Sequence, residues 1–184
     1  MRSLNVFNNI SLDGFISDAR GDMRWAHQQD PEWIAFTKEN ASGESAFVFG
    51  RVTYEMMASY WPTPAALQAL PEVAARMNGS QKIVCSRTLE RPTWQNTRLL
   101  NGDLVSEIRK LKQEPGPGLL IMGSASIVAQ LSQARLIDSY QLVVHPVALG
   151  GGKSLFSGLK EPLNLQLTRS RAFGNGRVVL WYEA

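Results

Sequence analysis

The chain has 184 residues, 44% hydrophobic and 19% charged, which is enough apolar material for the core of one globular domain spanning 1–184. Its 19 basic and 16 acidic groups give a net charge of +3, and the basic residues are scattered rather than gathered in runs, which argues against a nucleic-acid partner and leaves a phosphate-bearing small molecule as the natural guest. The lone Cys85 excludes an internal disulfide, Met1–Ile10 lacks the unbroken apolar stretch of a signal peptide, and no span reaches the roughly 20 apolar residues of a membrane crossing, so the expectation is a cytoplasmic protein with no membrane partner.

In chain order, Ser3–Ile10 predicts a first strand, followed by a turn at Ser11-Leu12-Asp13-Gly14 and a polar loop from Asp18 to Asp22. Asp30-Pro31-Glu32 predicts a helix start, with Asp30 as N-cap and Pro31 in the first helical position, and Ser42-Gly43 ends that helix. Ala46–Phe49, closed by Gly50, is a short apolar run that predicts a strand buried on both faces. Ile83–Cys85, Leu119–Met122 and Leu142–Val144 repeat the pattern, with helices expected near Leu67–Met77, Leu104–Leu111 and Ile127–Leu136 and another just after Arg51. Within this pattern Cys85 is expected as a buried, inert thiol. The tail differs: Leu163–Ser170 and Arg177–Glu183 are strand-like and joined by Phe173-Gly174-Asn175-Gly176, where Asn-Gly signals a hairpin. The pattern predicts an α/β fold with a mostly parallel central sheet that ends in an antiparallel C-terminal hairpin.

Three apolar runs finish in small or polar residues with a helix start expected behind them: Gly50-Arg51-Val52-Thr53, Ser86-Arg87-Thr88 and Gly123-Ser124-Ala125-Ser126. Ligands of open α/β sheets bind beyond the carboxyl ends of the strands, where helix N-termini offer free N–H groups to phosphates. Thr53, Ser86 and Ser124 can each serve as simple caps, but three such ends, two with an arginine, favour an anionic nucleotide.

Other signals fail. Gly150-Gly151-Gly152-Lys153-Ser154 lacks the first glycine of a phosphate loop, since Val147 stands in its place. His27 and His145 have no metal-site spacing, no Gly-x-Ser-x-Gly elbow occurs, and the Gly-x-Gly-x-x-Gly of ordinary dehydrogenases is absent.

These residues resemble the dihydrofolate-reductase-like family, including the C-terminal reductase domain of the bifunctional riboflavin-pathway deaminase/reductase and its small stand-alone relatives. The resemblance rests on Ser11-Leu12-Asp13-Gly14-Phe15-Ile16, Gly50-Arg51-Val52-Thr53-Tyr54-Glu55, Ile121-Met122-Gly123-Ser124-Ala125, Leu136-Ile137-Asp138, and Pro146–Gly152 with Phe156, in that order and nearly end to end. It implies a three-layer α/β/α fold and an NADPH site: Gly50, Arg51 and Thr53 along the phosphates, Gly123, Ser124, Ala125 and Ser126 at the pyrophosphate, Ser86 and Arg87 at the adenosine ribose and its 2′-phosphate. The activity implied is hydride transfer to a small heterocyclic or ribosylamino-pyrimidine-like substrate, in the manner of a 5-amino-6-(5-phosphoribosylamino)uracil reductase, in a chain that forms a homodimer. Counting from Met23-x-Trp25, Asp30 falls where dihydrofolate reductases keep the carboxylate that binds the pterin; an acid role and a cap role both fit it. Asp13 is a second carboxylate candidate at the substrate, with turn formation as its alternative, and Trp25 either walls the substrate pocket or packs in the core. A true dihydrofolate reductase is the rival enzyme, disfavoured because no arginine site for the glutamate tail of folate is evident, and a dinucleotide-binding module without catalysis is the rival from another class.

Overall fold

Short apolar runs alternate with amphipathic segments along this chain, and each run becomes a strand sealed between helices. The computed structural model describes residues 1–27, 30–40 and 43–184. Its strands are β1 (Leu4–Ser11), β2 (Phe15–Ser17), β3 (Ser45–Gly50), β4 (Lys82–Cys85), β5 (Thr97–Leu100), β6 (Gly118–Ile121), β7 (Ser139–His145), β8 (Lys153–Ser154), β9 (Gln166–Ala172) and β10 (Val178–Glu183). The helices are α1 (Pro31–Asn40), α2 (Arg51–Tyr60), α3 (Pro64–Ala69), α4 (Pro71–Gly79), α5 (Leu104–Gln113) and α6 (Ala125–Gln133), with a 3₁₀ turn at Arg24–His27.

Eight strands form one sheet in the order β5-β4-β3-β6-β1-β7-β10-β9. Every pair from β5 to β7 is parallel, and β10 runs antiparallel to both β7 and β9. The fold is thus the expected α/β architecture with its antiparallel C-terminal strands. β3 shows why the core forms where it does: Ala46 and Val48 pack under α5 and α6, while Phe47 and Phe49 face Tyr54 of α2 and Met77 of α4. α1 covers the sheet's other half, setting Trp33 and Phe36 on Val143, Phe173 and Val179. Burying apolar side chains on both faces, at about 25 cal/mol per Å², is what holds the three layers together.

Several boundaries depart from the sequence reading. Leu67–Met77 is two helices rather than one, because Leu70 (φ −141°, ψ 68°) precedes Pro71, whose ring and missing N–H end one helix and open the next. The helix expected at Ile127–Leu136 starts earlier, at Ala125, and stops at Gln133, with Arg135 in the left-handed region at φ 50°. The tail strand expected at Leu163–Ser170 spans Gln166–Ala172. No helix follows Ser86: its hydroxyl accepts the N–H groups of Thr88 and Leu89 in a turn, Pro92 disfavours helix just before it, and the chain runs on into β5, which the sequence reading missed. Of the expected stop Ser42-Gly43, Ser42 lies outside the described residues. Among the described residues no helix is long and apolar enough to cross a membrane.

Candidate functional site

All six parallel strands end at one edge, and two helices start there with their first residues in contact. α2 opens directly from Gly50 and α6 from Ser124, and neither N-terminus is capped by a side chain. α1, α3 and α5 are capped, by Asp30 on the Trp33 N–H, Thr63 on the Ala66 N–H and Asp103 on the Ser106 N–H. The first N–H groups of α2 and α6 are therefore left for an outside acceptor, with the positive end of each helix dipole behind them.

The two helix starts touch. A β-carbon on Gly50 would stand 2.7 Å from Ser124 Oγ and 3.1 Å from Ser124 Cβ, so only glycine allows this approach. Gly123, at φ 76°, brings bare backbone against Thr53, whose Oγ1 lies 3.5 Å from the position a β-carbon would take there. Ser124 Oγ pairs with Ser126 Oγ at 3.0 Å instead of capping its own helix. Around this contact lies a cleft of about 440 Å³, lined by Gly50, Arg51, Thr53, Ser86, Arg87, Ser124 and Ser126 among others.

The structure thus gathers seven of the nine residues expected at the cofactor around one cleft; Gly123 and the buried Ala125 stand next to Ser124 in the chain but do not line it. Arg51, the first residue of α2, is exposed and donates to both carboxylate oxygens of Glu55, at 3.0 and 3.2 Å. Sequence reasoning missed the far wall, which comes from Gly102, Asp103 and Glu107 at the start of α5; the cap signature Gly102-Asp103 marks it in retrospect. It also missed a flap. β2 and β8 pair into a small sheet that brings Ile16 and Lys153 to the cleft, and Gly152 lets it close, because a β-carbon there would fall 2.0 Å from the Ser17 carbonyl oxygen. Cys85 also lines the cleft, half-buried, with its thiol pushed up to about 12 by burial and by Glu107.

Asp13 pins this flap rather than facing the cleft. Its carboxylate accepts the Ser11 hydroxyl at 2.6 Å and the N–H groups of Leu149 and Gly150, contacts that hold its pKa down to about 2.

The carboxyl ends of β1 and β7 carry a second polar group of residues. Asp30 caps α1 through the Trp33 N–H at 2.9 Å, accepts the Asn175 amide, and lies 3.4 Å from Arg177 Nη1. The Trp33 N–H first, then Asn175 and the charge of Arg177, keep its carboxyl below the usual carboxylate range. Of the two roles the sequence allows Asp30, this geometry supplies the cap. Arg177 Nε donates to His145 Nδ1 at 3.2 Å, so the other ring nitrogen carries the proton and donates to Asn9 Oδ1 at 2.9 Å. Burial, with Arg177 and His27 adding to it, pushes the imidazole down to about 4. Trp25 stands edge-on to that ring, with centroids 5.2 Å apart, and its indole N–H is buried without a partner. Nothing in the sequence ties His145 to Arg177, so of this group only Asp30 and Trp25 were legible before folding.

A family model for the RibD C-terminal domain matches residues 2–179. The chain belongs to the RibD C-terminal domain family. Relatives of this RibD-type domain include two uncharacterized Bacillus subtilis proteins. YyaP is 30% identical over 174 residues, covering 95% of this chain and 90% of its own, and YwjB is 26% identical over 183 residues, covering 94% and 93%. Among solved structures, a putative riboflavin biosynthesis protein from Shewanella sp. PV-4 superposes with a TM-score of 0.75 at 24% identity, with 98% of both chains covered. The diaminohydroxyphosphoribosylaminopyrimidine deaminase/5-amino-6-(5-phosphoribosylamino)uracil reductase of Thermotoga maritima gives a TM-score of 0.70 at 18% identity; this chain is covered to 99% and spans 56% of that longer protein. These two likenesses show that the RibD reductase fold is shared.

Proposed function

We propose that this RibD-type domain is an NADPH-dependent reductase that acts on a small heterocyclic or ribosylamino-pyrimidine-like substrate. The observation that carries the reading is the meeting of two uncapped helix N-termini at Gly50 and Ser124, a cradle that one added β-carbon would fill. Such a cradle suits a pyrophosphate, whose oxygens take the free N–H groups and the Ser124 and Ser126 hydroxyls. Ser86 and Arg87 then face the adenosine ribose and its 2′-phosphate, where a guanidinium holds a phosphate bidentately. Bound NADPH supplies the hydride.

The chain's own residues align the reactants and exclude water. The flap closes over the cleft with Ile16 and Lys153, held in place by the three contacts of Asp13. Trp25, with its unpartnered indole N–H, is the donor we assign to the substrate. Asp30 stays ionised at neutral pH and has no proton to give, so in this reading it is a positioning residue that fixes Arg177 and the start of α1 at the substrate end. The reading includes a homodimer, with the exposed edge strand β9 as the surface a second copy would cover; sedimentation velocity tests it, and a monomer at micromolar concentration removes it.

The test of function is calorimetric titration with NADPH, NADH and NADP⁺, followed by loss of NADPH absorbance in the presence of a panel of pyrimidines, pterins and dihydrofolate. Tight NADPH binding that weakens in Arg51→Ala, with oxidation by a pyrimidine-type compound, supports the reductase. Binding without any turnover leaves the binding module, turnover with dihydrofolate alone gives the rival enzyme, and failure to bind any dinucleotide overturns the reading.

A further inference from the structure

Buried polar groups in this chain are mostly paired. Lys82 gives its ammonium to the carbonyls of Met77 and Asn78, Lys112 to Asp138 and the Leu136 carbonyl, and the Ser132 and Tyr140 hydroxyls meet at 2.8 Å. Among the described residues the buried side-chain atoms without a hydrogen-bond partner are Arg2 Nη2, Trp25 Nε1 and Asn8 Oδ1. Arg2 is otherwise tied down through Nε to the Pro117 carbonyl, beside the start of β6 and far from the cleft. Asn8 is a different case. It is 9% exposed, and alternation along β1 places it on the face of Leu4 and Val6, beneath α6, where leucine or isoleucine would pack at less cost.

Its position follows from the register. Val6 pairs with Ile121, so two residues on Asn8 lies level with Gly123 at the root of α6. The Asn8 amide nitrogen is 3.7 Å from where a Gly123 β-carbon would be, and Thr53 Oγ1 is 3.5 Å from the same point. The Asn8 amide group therefore sits at the β1 end of the cradle, with its oxygen buried and unpaired.

Strand order then determines what lies over it. Neighbouring strands are about 4.8 Å apart, so β4-β3-β6-β1 spans roughly 14 Å along the carboxyl edge. With the adenosine at Ser86 and Arg87 beyond β4, and the pyrophosphate between β3 and β6, the other end of the dinucleotide falls at β1. We propose that Asn8 Oδ1 accepts a hydrogen bond from the carboxamide N–H of the cofactor's nicotinamide and so fixes the rotation of that ring. This rests on the cofactor reading above and adds to it a residue that recognises the reactive end.

The experiment compares wild type and Asn8→Leu by calorimetry against three probes: NADP⁺, its 3-acetylpyridine analogue, in which a methyl replaces the amide NH₂, and 2′-phospho-ADP-ribose, which lacks the ring. Wild type is expected to bind NADP⁺ about threefold to tenfold more tightly than the analogue, the worth of one hydrogen bond. Asn8→Leu is expected to bind the two dinucleotides within about twofold of each other, with 2′-phospho-ADP-ribose bound equally by both proteins. Equal binding of NADP⁺ and the analogue by wild type overturns the inference, and this arm decides even where the variant fails to fold. Discrimination that survives in Asn8→Leu, or a loss that extends equally to 2′-phospho-ADP-ribose, overturns it too. Failure of wild type to bind any of the three is a separate outcome, which removes the cofactor reading itself.

Discussion

Asp30 and Arg177, 147 positions apart in the chain, meet at 3.4 Å and tie the start of α1 to the hairpin between β9 and β10. Arg177 is 2% exposed, its guanidinium lies 4.6 Å over the Trp33 ring, and Asn175 of the same hairpin donates to the same Asp30 oxygen. Asp30→Asn keeps the helix cap but puts a neutral amide beside a buried cation, while Asp30→Ala loses the cap as well. The melting temperature should fall in the order wild type, Asp30→Asn, Asp30→Ala. NADPH affinity should be unchanged in both variants, because the cleft residues lie elsewhere. An Asp30→Asn melt equal to wild type would show that the carboxylate charge contributes nothing to holding Arg177.

Acid should destabilise the protein in two stages. His145 titrates at about 4 in the folded chain, against about 6.5 when unfolded. As pH falls from 7, the unfolded chain takes up this proton first, so stability on the order of 2–3 kcal/mol is lost between about pH 6.5 and 4. Asp13, at about 2 when folded against about 3.9 unfolded, contributes stability that is present above pH 4 and lost between about 4 and 2. Urea unfolding at half-unit pH steps should trace both stages, and His145→Gln should abolish the first alone. A wild-type curve flat from pH 7 to 4 would mean that the imidazole is hydrated in the folded protein.

What the sequence revealed followed from local chemistry. β3, β4, β6 and β7 are apolar runs that make sense only between two helical layers, Asn175-Gly176 marks a tight turn, and Asp30-Pro31 marks a helix start. β5 escaped because Thr97-Arg98-Leu99-Leu100 is an edge strand with an exposed arginine, and its register depends on Asn96, whose left-handed φ of 57° turns the chain into it. The phosphate side of the site was legible because each contributing segment is contiguous in sequence. His145, Arg177 and Asn8 were not, since a buried polar residue declares itself only through partners, or the lack of them, that the sheet brings together.

The two arginines of the cleft should separate by cofactor. Arg87→Ala is expected to weaken NADPH about tenfold to a hundredfold, the worth of charge-assisted hydrogen bonds to a phosphate, and to leave NADH almost unchanged. Arg51 stands at the α2 N-terminus already engaged by Glu55, so Arg51→Ala should weaken both cofactors, and Glu55→Gln should strengthen both severalfold in low salt by releasing the guanidinium. Titrations of the three variants with both cofactors check this. Equal losses of NADPH and NADH in Arg87→Ala would place the 2′-phosphate elsewhere.

Gly50→Ala isolates the cradle from the fold. Gly50 has φ −79° and ψ 163°, angles that alanine adopts freely, so no backbone strain accompanies the change. The added methyl meets Ser124 Oγ at 2.7 Å and Ser124 Cβ at 3.1 Å, and the serine must shift out of the anion site. Overpacking of this kind costs about 1–3 kcal/mol, which a folded core absorbs, whereas a pyrophosphate that depends on N–H groups from both helix starts cannot be held when they are forced apart. NADPH affinity should therefore fall more than about tenfold while the protein still melts cooperatively. Adding Ser124→Gly removes both clashing atoms, and partial recovery of affinity in the double variant would trace the loss to this single contact. A Gly50→Ala protein that binds NADPH as wild type does would mean that the pyrophosphate does not lie between α2 and α6.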